Sequence, residues 1–481
     1  MQQPAPIQSD DTASAGRAPG GEAAEATRGS AIKLGAEMGG RVLSLLTTLL
    51  LARGLGVADF GVFSALSGIA VIVAEAGDLG LQATAARALV ARSLSLGAML
   101  RAKLLLSALT LAIALALSRI GPLLAPLVLY FTLLGWSVFL GVSLRARGRR
   151  GEEAGVILCL RASTLASVVL ALRAGAALPA LAWSMAASTL LPLALALGLA
   201  IRGRAHPEAW EGAPPGGVRS VLRTAFPLGV NGALSLLSLR IELFALAALR
   251  SAREAGLFAA ALRAVEFLNM VPEAICAGAM PALTREALKG EGQVRGRTAG
   301  TVALLAFPAA AGLVLVAPGL VPTLFGVDYA DAVLPLRLLG ACLVVLFMNA
   351  VMLHALIAAG RAGWLPRLTA GRVAAASLLA ALLVPTLGPI GAALGFLVSE
   401  LLLFGLAAHA CAAARFEVPL LRPLLLGLGA ATPMVVAVVL ASGGLAASIA
   451  LGIVTYLLTL AAALRFGSRL LDSLGAGVRL S

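Results

Sequence analysis

Nine ionisable residues stand inside stretches that are otherwise apolar: Glu37, Arg41, Glu75, Asp78, Arg240, Glu242, Arg263, Glu266 and Glu273. In hydrocarbon each costs about 2.5–3.5 kcal/mol on insertion scales, so such groups face a wet interior or one another. Glu37 and Arg41 are spaced i,i+4 and Arg263 and Glu266 i,i+3, which allows each pair to neutralise itself along one helix face. Glu75 and Asp78 are also i,i+3, but like charges repel, so one of them can stay protonated. They could serve as a partner for Arg41 or as a coupling site for H⁺ or Na⁺. Arg161 is a further basic residue inside an apolar run.

The elements that carry these residues follow from composition. Of 481 residues, 60% are hydrophobic and only 12% charged, with mean hydropathy +0.98. Such a chain has too little polar surface to cover itself in water. The apolar runs are continuous and close to the about twenty residues a membrane-crossing helix needs, unlike the alternating runs of a barrel. The expected fold is an all-α polytopic membrane protein. Fourteen spans are expected, at 32–53, 61–86, 102–118, 121–143, 154–172, 176–201, 225–249, 256–280, 298–317, 333–357, 366–386, 389–412, 421–441 and 444–465. Residues 1–30 are polar and rich in Ala, Gly, Ser and Pro, and read as a disordered cytoplasmic tail.

The net charge of +14 is distributed for a membrane rather than for nucleic acid. With fourteen spans, 27 of the 37 basic residues fall in segments on the side of the termini, 6 on the other side and 4 within spans. The positive-inside rule then puts both termini in the cytoplasm. Cys159, Cys276, Cys342 and Cys411 lie in apolar helices without metal or redox spacing, and His206, His354 and His409 are scattered. No phosphate-binding G-x-x-x-x-G-K-[ST] loop is present, so neither a cofactor nor a metal is expected.

An internal repeat organises the spans. "GVADFGVFSALSGI" from Gly56 and "SAREAGLFAAALRAV" from Ser251 align at an offset of 195, setting Gly61 on Gly256, Phe63 on Phe258 and Asp78 on Glu273. Six helices separate the copies, an even number, so the repeats are parallel. Two six-helix lobes are expected, at 31–201 and 225–413, joined by a linker at 202–224. The last two spans and a short tail, 414–481, follow them.

"LARGLGVADFGVFSALSGIAVIVAEAGDLGL" resembles the opening signature of the Wzx-type oligosaccharide flippase branch of the MOP (MATE-like) exporter superfamily. "EAGLFAAALRAVEFLNMVPEAICAGAMPALTRE", "LFGVDYADAVLPLRLLG" and "PTLGPIGAALGFLVSELL" resemble later segments of that family, in the same order. The resemblance runs from about residue 31 to 413. It implies two helical bundles around a central cavity that opens alternately to each side of the inner membrane. The implied cargo is a polyprenyl-diphosphate-linked glycan for cell-surface polysaccharide, lipopolysaccharide or exopolysaccharide, and the implied activity is transport rather than catalysis. Arg41, Arg240 and Arg263 then become candidate contacts for pyrophosphate, since guanidinium presents paired donors to phosphate oxygens and stays charged. Glu37, Glu75, Asp78, Glu266 and Glu273 become candidates for ion coupling or charge compensation. By position in their spans the charges form an inner storey on the first lobe and an outer one on the second. A cation-coupled exporter of small molecules is the alternative, and it would need a cavity dominated by acid.

Overall fold

The computed structural model describes residues 19–88, 95–119, 121–202, 217–289, 293–441 and 443–473. Among them every regular element is a helix. In chain order these are α1 (Pro19–Asp78), α2 (Leu81–Ala88), α3 (Leu96–Leu117), α4 (Leu124–Ala146), α5 (Arg150–Arg173), α6 (Leu178–Ser188), α7 (Leu190–Arg202) and α8 (Val218–Ser238). They are followed by α9 (Ile241–Leu249), α10 (Ala252–Leu268), α11 (Met270–Lys289), α12 (Gln293–Phe325), α13 (Val333–Ala358), α14 (Leu365–Ala413), α15 (Leu421–Leu440) and α16 (Leu445–Ser473).

Eleven helical stretches are long and apolar enough to cross a membrane, or twelve if the pair α8 and α9, bent by 53°, counts as one. The fold is therefore an all-helical polytopic membrane protein. The count is lower than the expected fourteen because two of the stretches each hold two helices joined at a non-helical glycine. At 44 and 52 residues, Gly35–Asp78 and Ala362–Ala413 would be about 66 and 78 Å long if straight, against a hydrocarbon core of about 30 Å. Each breaks at a glycine with positive φ, Gly56 at 78° and Gly388 at 55°. Glycine takes that conformation without a Cβ penalty, and Pro389 further disfavours helix at Gly388.

Packing shows both reversals. In α14, Gly395 lies against Leu379, Gly391 against the carbonyl of Leu383, and Gly371 against Leu406, so the two limbs form an antiparallel hairpin. In α1, the limb before Gly56 (α1a) runs parallel to α5, with Gly40 on Ile157 and Arg161 and Gly54 on Leu172. The limb after it (α1b) runs antiparallel to α8 and α9, with Gly68 on Phe244, Glu75 on Gly232 and Gly80 on Gly229.

The molecule thus has a Gly56 end and a Gly80 end. At the Gly56 end, Arg53 donates to the last carbonyls of α12, from Nε to Leu324 O at 2.9 Å and from Nη2 to Thr323 O. Tyr329 Oη donates to Ala52 O at 2.8 Å, and its ring meets Phe60 edge-on at 6.2 Å. Arg250 pairs with Glu254 and donates to Pro385 O. At the Gly80 end, Arg147 and Arg149 donate to the carbonyls of Ala200 and Leu199, and Arg295 pairs with Glu286 beneath the ring of Phe416.

α1 begins at Pro19, so the described part of the expected tail is helical, as its run of Glu and Ala favours. Residues 1–18, most of the linker (203–216) and 474–481 lie outside the described residues.

Candidate functional site

Asp78 closes a small polar cavity between α1b, α3 and α4. About 110 Å³ is enclosed by Glu75, Asp78, Gln82, Lys103, Ser107, Thr110 and Thr132, among others. Asp78 makes a buried ion pair with Lys103, and its other oxygen accepts from Gln82 N at 3.0 Å. The Lys103 ammonium lies 5.9 Å from the ring centroids of both Trp136 and Phe139. Lys103, not Arg41, is thus the partner of Asp78.

Lys103 reads from sequence as a cation at the membrane face, because the expected span begins at 102. Ser95 caps the helix instead, its hydroxyl accepting from Ala98 N, so α3 begins at Leu96 and Lys103 sits two turns in. That serine was the available signal. With a dedicated partner, Asp78 does not share its role with Glu75, which faces Gly232 of α8. We expect Asp78→Asn to cost about 3–5 kcal/mol, because it strands a buried cation, and Asp78→Leu with Lys103→Met to recover much of it. Thermal unfolding in detergent would check this. A double variant no more stable than the single one would show that the pair is not the origin of the loss.

Arg41 lines a different cavity, of about 260 Å³, between α1a, α4 and α5, together with Glu37, Arg145, Glu153 and Arg161. Arg145 Nε lies 2.9 and 3.0 Å from the two carboxylate oxygens of Glu153. Arg41 and Asp78 therefore do not form one inner cluster; they belong to separate cavities.

The second half carries two charge groups. Arg240 sits at the bend between α8 and α9, where it caps α9 and lies close to Gly68 of α1b. It pairs with Glu266 Oε1 at 3.1 Å, while Arg263 Nη1 donates to Glu266 Oε2 at 2.9 Å. Two guanidiniums therefore share one carboxylate. Glu242, two residues on, is fully buried with neither carboxylate oxygen hydrogen-bonded. It lies within the electrostatic reach of a pair that sequence reading missed, Arg372 and Glu400. Their Nε–Oε1 distance is 2.7 Å, though not in hydrogen-bond alignment. Arg372 Nη1 also donates to Ser238 O, and Asn349 Nδ2 to Glu400 Oε2 at 2.7 Å. Glu273 stands apart, 3.7 Å from His354 Nε2. Among the described residues no group of His, Cys, Asp and Glu could hold a metal ion.

α1b is the seam between the halves, and the repeat meets itself there. Gly61 packs on the backbone of Ala252 and Gly256, and Gly256 on that of Val57 and Gly61, so residues related by the offset of 195 touch reciprocally. Gly80 and Gly229 make a second backbone contact at the other end. The halves are in contact at both ends of α1b, where the family resemblance implies a central cavity that opens alternately to each side.

An apolar groove of about 570 Å³ runs beside this seam, walled by Ala264, Phe267 and Leu268 of α10, Leu45 of α1a, and residues of α12, α15 and α16.

Residues 26–285, more than half of the chain, match the family described as "Polysaccharide biosynthesis protein". The chain belongs to that family. Its helical membrane fold is also that of solved transport proteins. Solved structures support the same fold. "Lipid II flippase MurJ, inward closed conformation" superposes with a TM-score of 0.72 at 11% identity, covering 91% of this chain and 99% of that one. The MATE multidrug transporter DinF-BH, solved as a complex, gives 0.62 at 15% identity, covering 81% and 95%. An inward-facing multidrug resistance MATE transporter of the MOP superfamily gives 0.60 at 17%, covering 80% and 98%. Among curated protein sequences there is no match.

Proposed function

We propose that this family member moves a polyprenyl-diphosphate-linked oligosaccharide from the cytoplasmic to the outer leaflet by alternating access. One observation carries the reading. Helix α10 presents Arg263 and Glu266 to Arg240 on one face, and Ala264, Phe267 and Leu268 to the apolar groove on another. Helix α10 and the bend between α8 and α9 thus offer an anion-binding guanidinium pair, short of one counter-charge, beside a slot for hydrocarbon. That suits a cargo with a charged head and a long apolar tail. Two cations on one carboxylate also favour an anionic cargo over the cationic one of a drug-type exporter.

In this reading the two reversing helices each cross twice, which makes fourteen crossings, with halves at 31–201 and 225–413 and α15 and α16 added outside. The linker 202–224 and both termini lie in the cytoplasm, because arginine-rich connections gather at the Gly80 end. Arg41 meets the pyrophosphate near that end, and Arg240 with Arg263 meets it nearer the Gly56 end. The acids Glu37, Glu75 and Glu273 are left for charge compensation or for coupling to H⁺ or Na⁺. A diphosphate moving outward also runs down an inside-negative potential, worth about 4–5 kcal/mol for two charges at 100 mV. Labelling of introduced cysteines should place Arg147 and Arg295 inside and Ala58 and Asp328 outside; a cytoplasmic Asp328 would overturn the topology.

Transfer of a fluorescent polyprenyl-diphosphate oligosaccharide across vesicles holding the purified protein tests the function. Arg240→Ala and Arg263→Ala should each slow transfer about ten- to a hundred-fold, the worth of a charge-assisted contact. Lysine at either position should rescue in part, restoring charge without the fork. Undiminished transfer by the double alanine variant would refute the site.

A further inference from the structure

Arg161 has no task in the scheme above, and its surroundings give it one. It lies eleven residues into α5, about 16 Å along the helix from Arg150, too deep for a residue that simply marks the membrane face. Gly40 brings α1a close enough that the Arg161 stem lies across it, 3.3 Å from where a Cβ would stand. Arg41, the next residue, lines the same cavity. Both arginines therefore line one cavity where two parallel helices come close.

The walls hold Arg41, Arg145 and Arg161 against Glu37 and Glu153, an excess of one positive charge. Glu153 is engaged by both its oxygens with Arg145. Arg41 and Arg161 make no ion pair among the described residues. An arginine at this depth without a counter-ion is costly, and a second beside it raises the cost, so the cavity is built to be completed by an anion. Guanidinium forks match the paired oxygens of a phosphoryl group, and about 260 Å³ leaves room for one with several waters at about 30 Å³ each.

We propose that this cavity in the first half binds a phosphoryl anion, with Arg161 and Arg41 as its direct ligands and the Arg145–Glu153 pair as its wall. The phosphoryl group can come from the diphosphate of the cargo, in which case the assignment deepens the transport reading, or from an anionic membrane phospholipid, in which case it stands apart from it.

The purified full-length protein separates these cases. Inorganic pyrophosphate should raise the unfolding temperature of the wild type, and Arg161→Gln should weaken its binding about ten- to a hundred-fold. Arg161→Lys should keep part of the shift, which guards against reading misfolding as lost binding. In a parallel arm, nanodiscs of phosphatidylglycerol are compared with nanodiscs of phosphatidylcholine. A stabilisation by phosphatidylglycerol that Arg161→Gln removes, with no response to pyrophosphate, assigns the cavity to a lipid headgroup. A response to pyrophosphate assigns it to a diphosphate. If neither probe distinguishes wild type from a folded Arg161→Gln, the anion site does not exist. Vesicle transfer keeps the two proposals apart: binding at Arg161 without transfer sinks only the transport reading, and transfer without binding at Arg161 sinks only this one.

Discussion

Replacing Arg372 with alanine should cost the protein about 3–5 kcal/mol of stability, the usual loss when one partner of a buried ion pair is removed. Arg372 and Glu400 are almost fully enclosed, and Arg372 is the cation that acts on Glu242, itself sealed from solvent with no hydrogen bond to either oxygen. Alanine would leave two carboxylates without a counter-charge and free the Ser238 carbonyl that Arg372 now satisfies. By contrast, Glu242→Gln should cost little or even stabilise, since it removes a buried charge with no fixed partner. The double variant Arg372→Met, Glu400→Gln should recover much of the single loss, leaving Asn349 a partner. Thermal unfolding in detergent across the set gives the coupling energy. If Glu242→Gln proves as damaging as Arg372→Ala, Glu242 has a partner or a function that its geometry does not display.

The same pair shows where sequence reading stopped. Arg372 follows Arg361 and Arg367, and counts there as one more cation at the membrane face. Glu400 disappears among the leucines of "GFLVSELLLFGL". Only the hairpin joins them: they lie on opposite limbs, one before Gly388 and one after it, so folding at that glycine sets one against the other. A charge on each side of a Gly-Pro break is a signal that can be read, but only once the break is known to reverse the chain. Lys103 was lost for a smaller reason, a helix start placed six residues late.

Spacing along one helix foretold one of its two pairs; Glu37 and Arg41, spaced i,i+4, are not joined by an ion pair. Arg263 and Glu266 lie on adjacent turns of one helix and pair as i,i+3 requires. The addition of Arg240 to that pair could not be read, because it depends on the bend between α8 and α9. The all-helical membrane fold follows from composition alone, since hydrocarbon leaves the backbone few other choices. Which charges share a cavity depends on helix neighbours, and apolar periodicity says nothing about those. Arg41 and Asp78 match in depth, yet they line separate cavities, Arg41 facing α5 and Asp78 facing α3.

Substituting leucine at Gly61 should hold the Gly56 end open and slow transfer at least about ten-fold. The helices α1b and α10 cross there through backbone alone: a methyl on Gly61 would overlap the Ala252 carbonyl oxygen, and one on Gly256 would overlap that of Val57. Neither obstacle is a side chain that can turn aside, so the helices must part. Small residues at the crossing, Gly61 on one helix and Ala252 with Gly256 on the other, give the close approach that drives helix association in a membrane. Under the proposed alternating access, the contact is needed only while this end is shut. A clash worth about 1–3 kcal/mol would therefore shift the population toward the open state rather than unfold the protein. Reciprocity sharpens the expectation. Gly61→Ala and Gly256→Ala should have nearly equal effects, and together they should fall short of additive, because one separation relieves both. Spin labels at the exposed positions Asp59 and Arg253 report the separation directly, and their distance should grow by several ångströms. An unchanged distance with full transfer in Gly61→Leu would mean that the halves do not close on this pair.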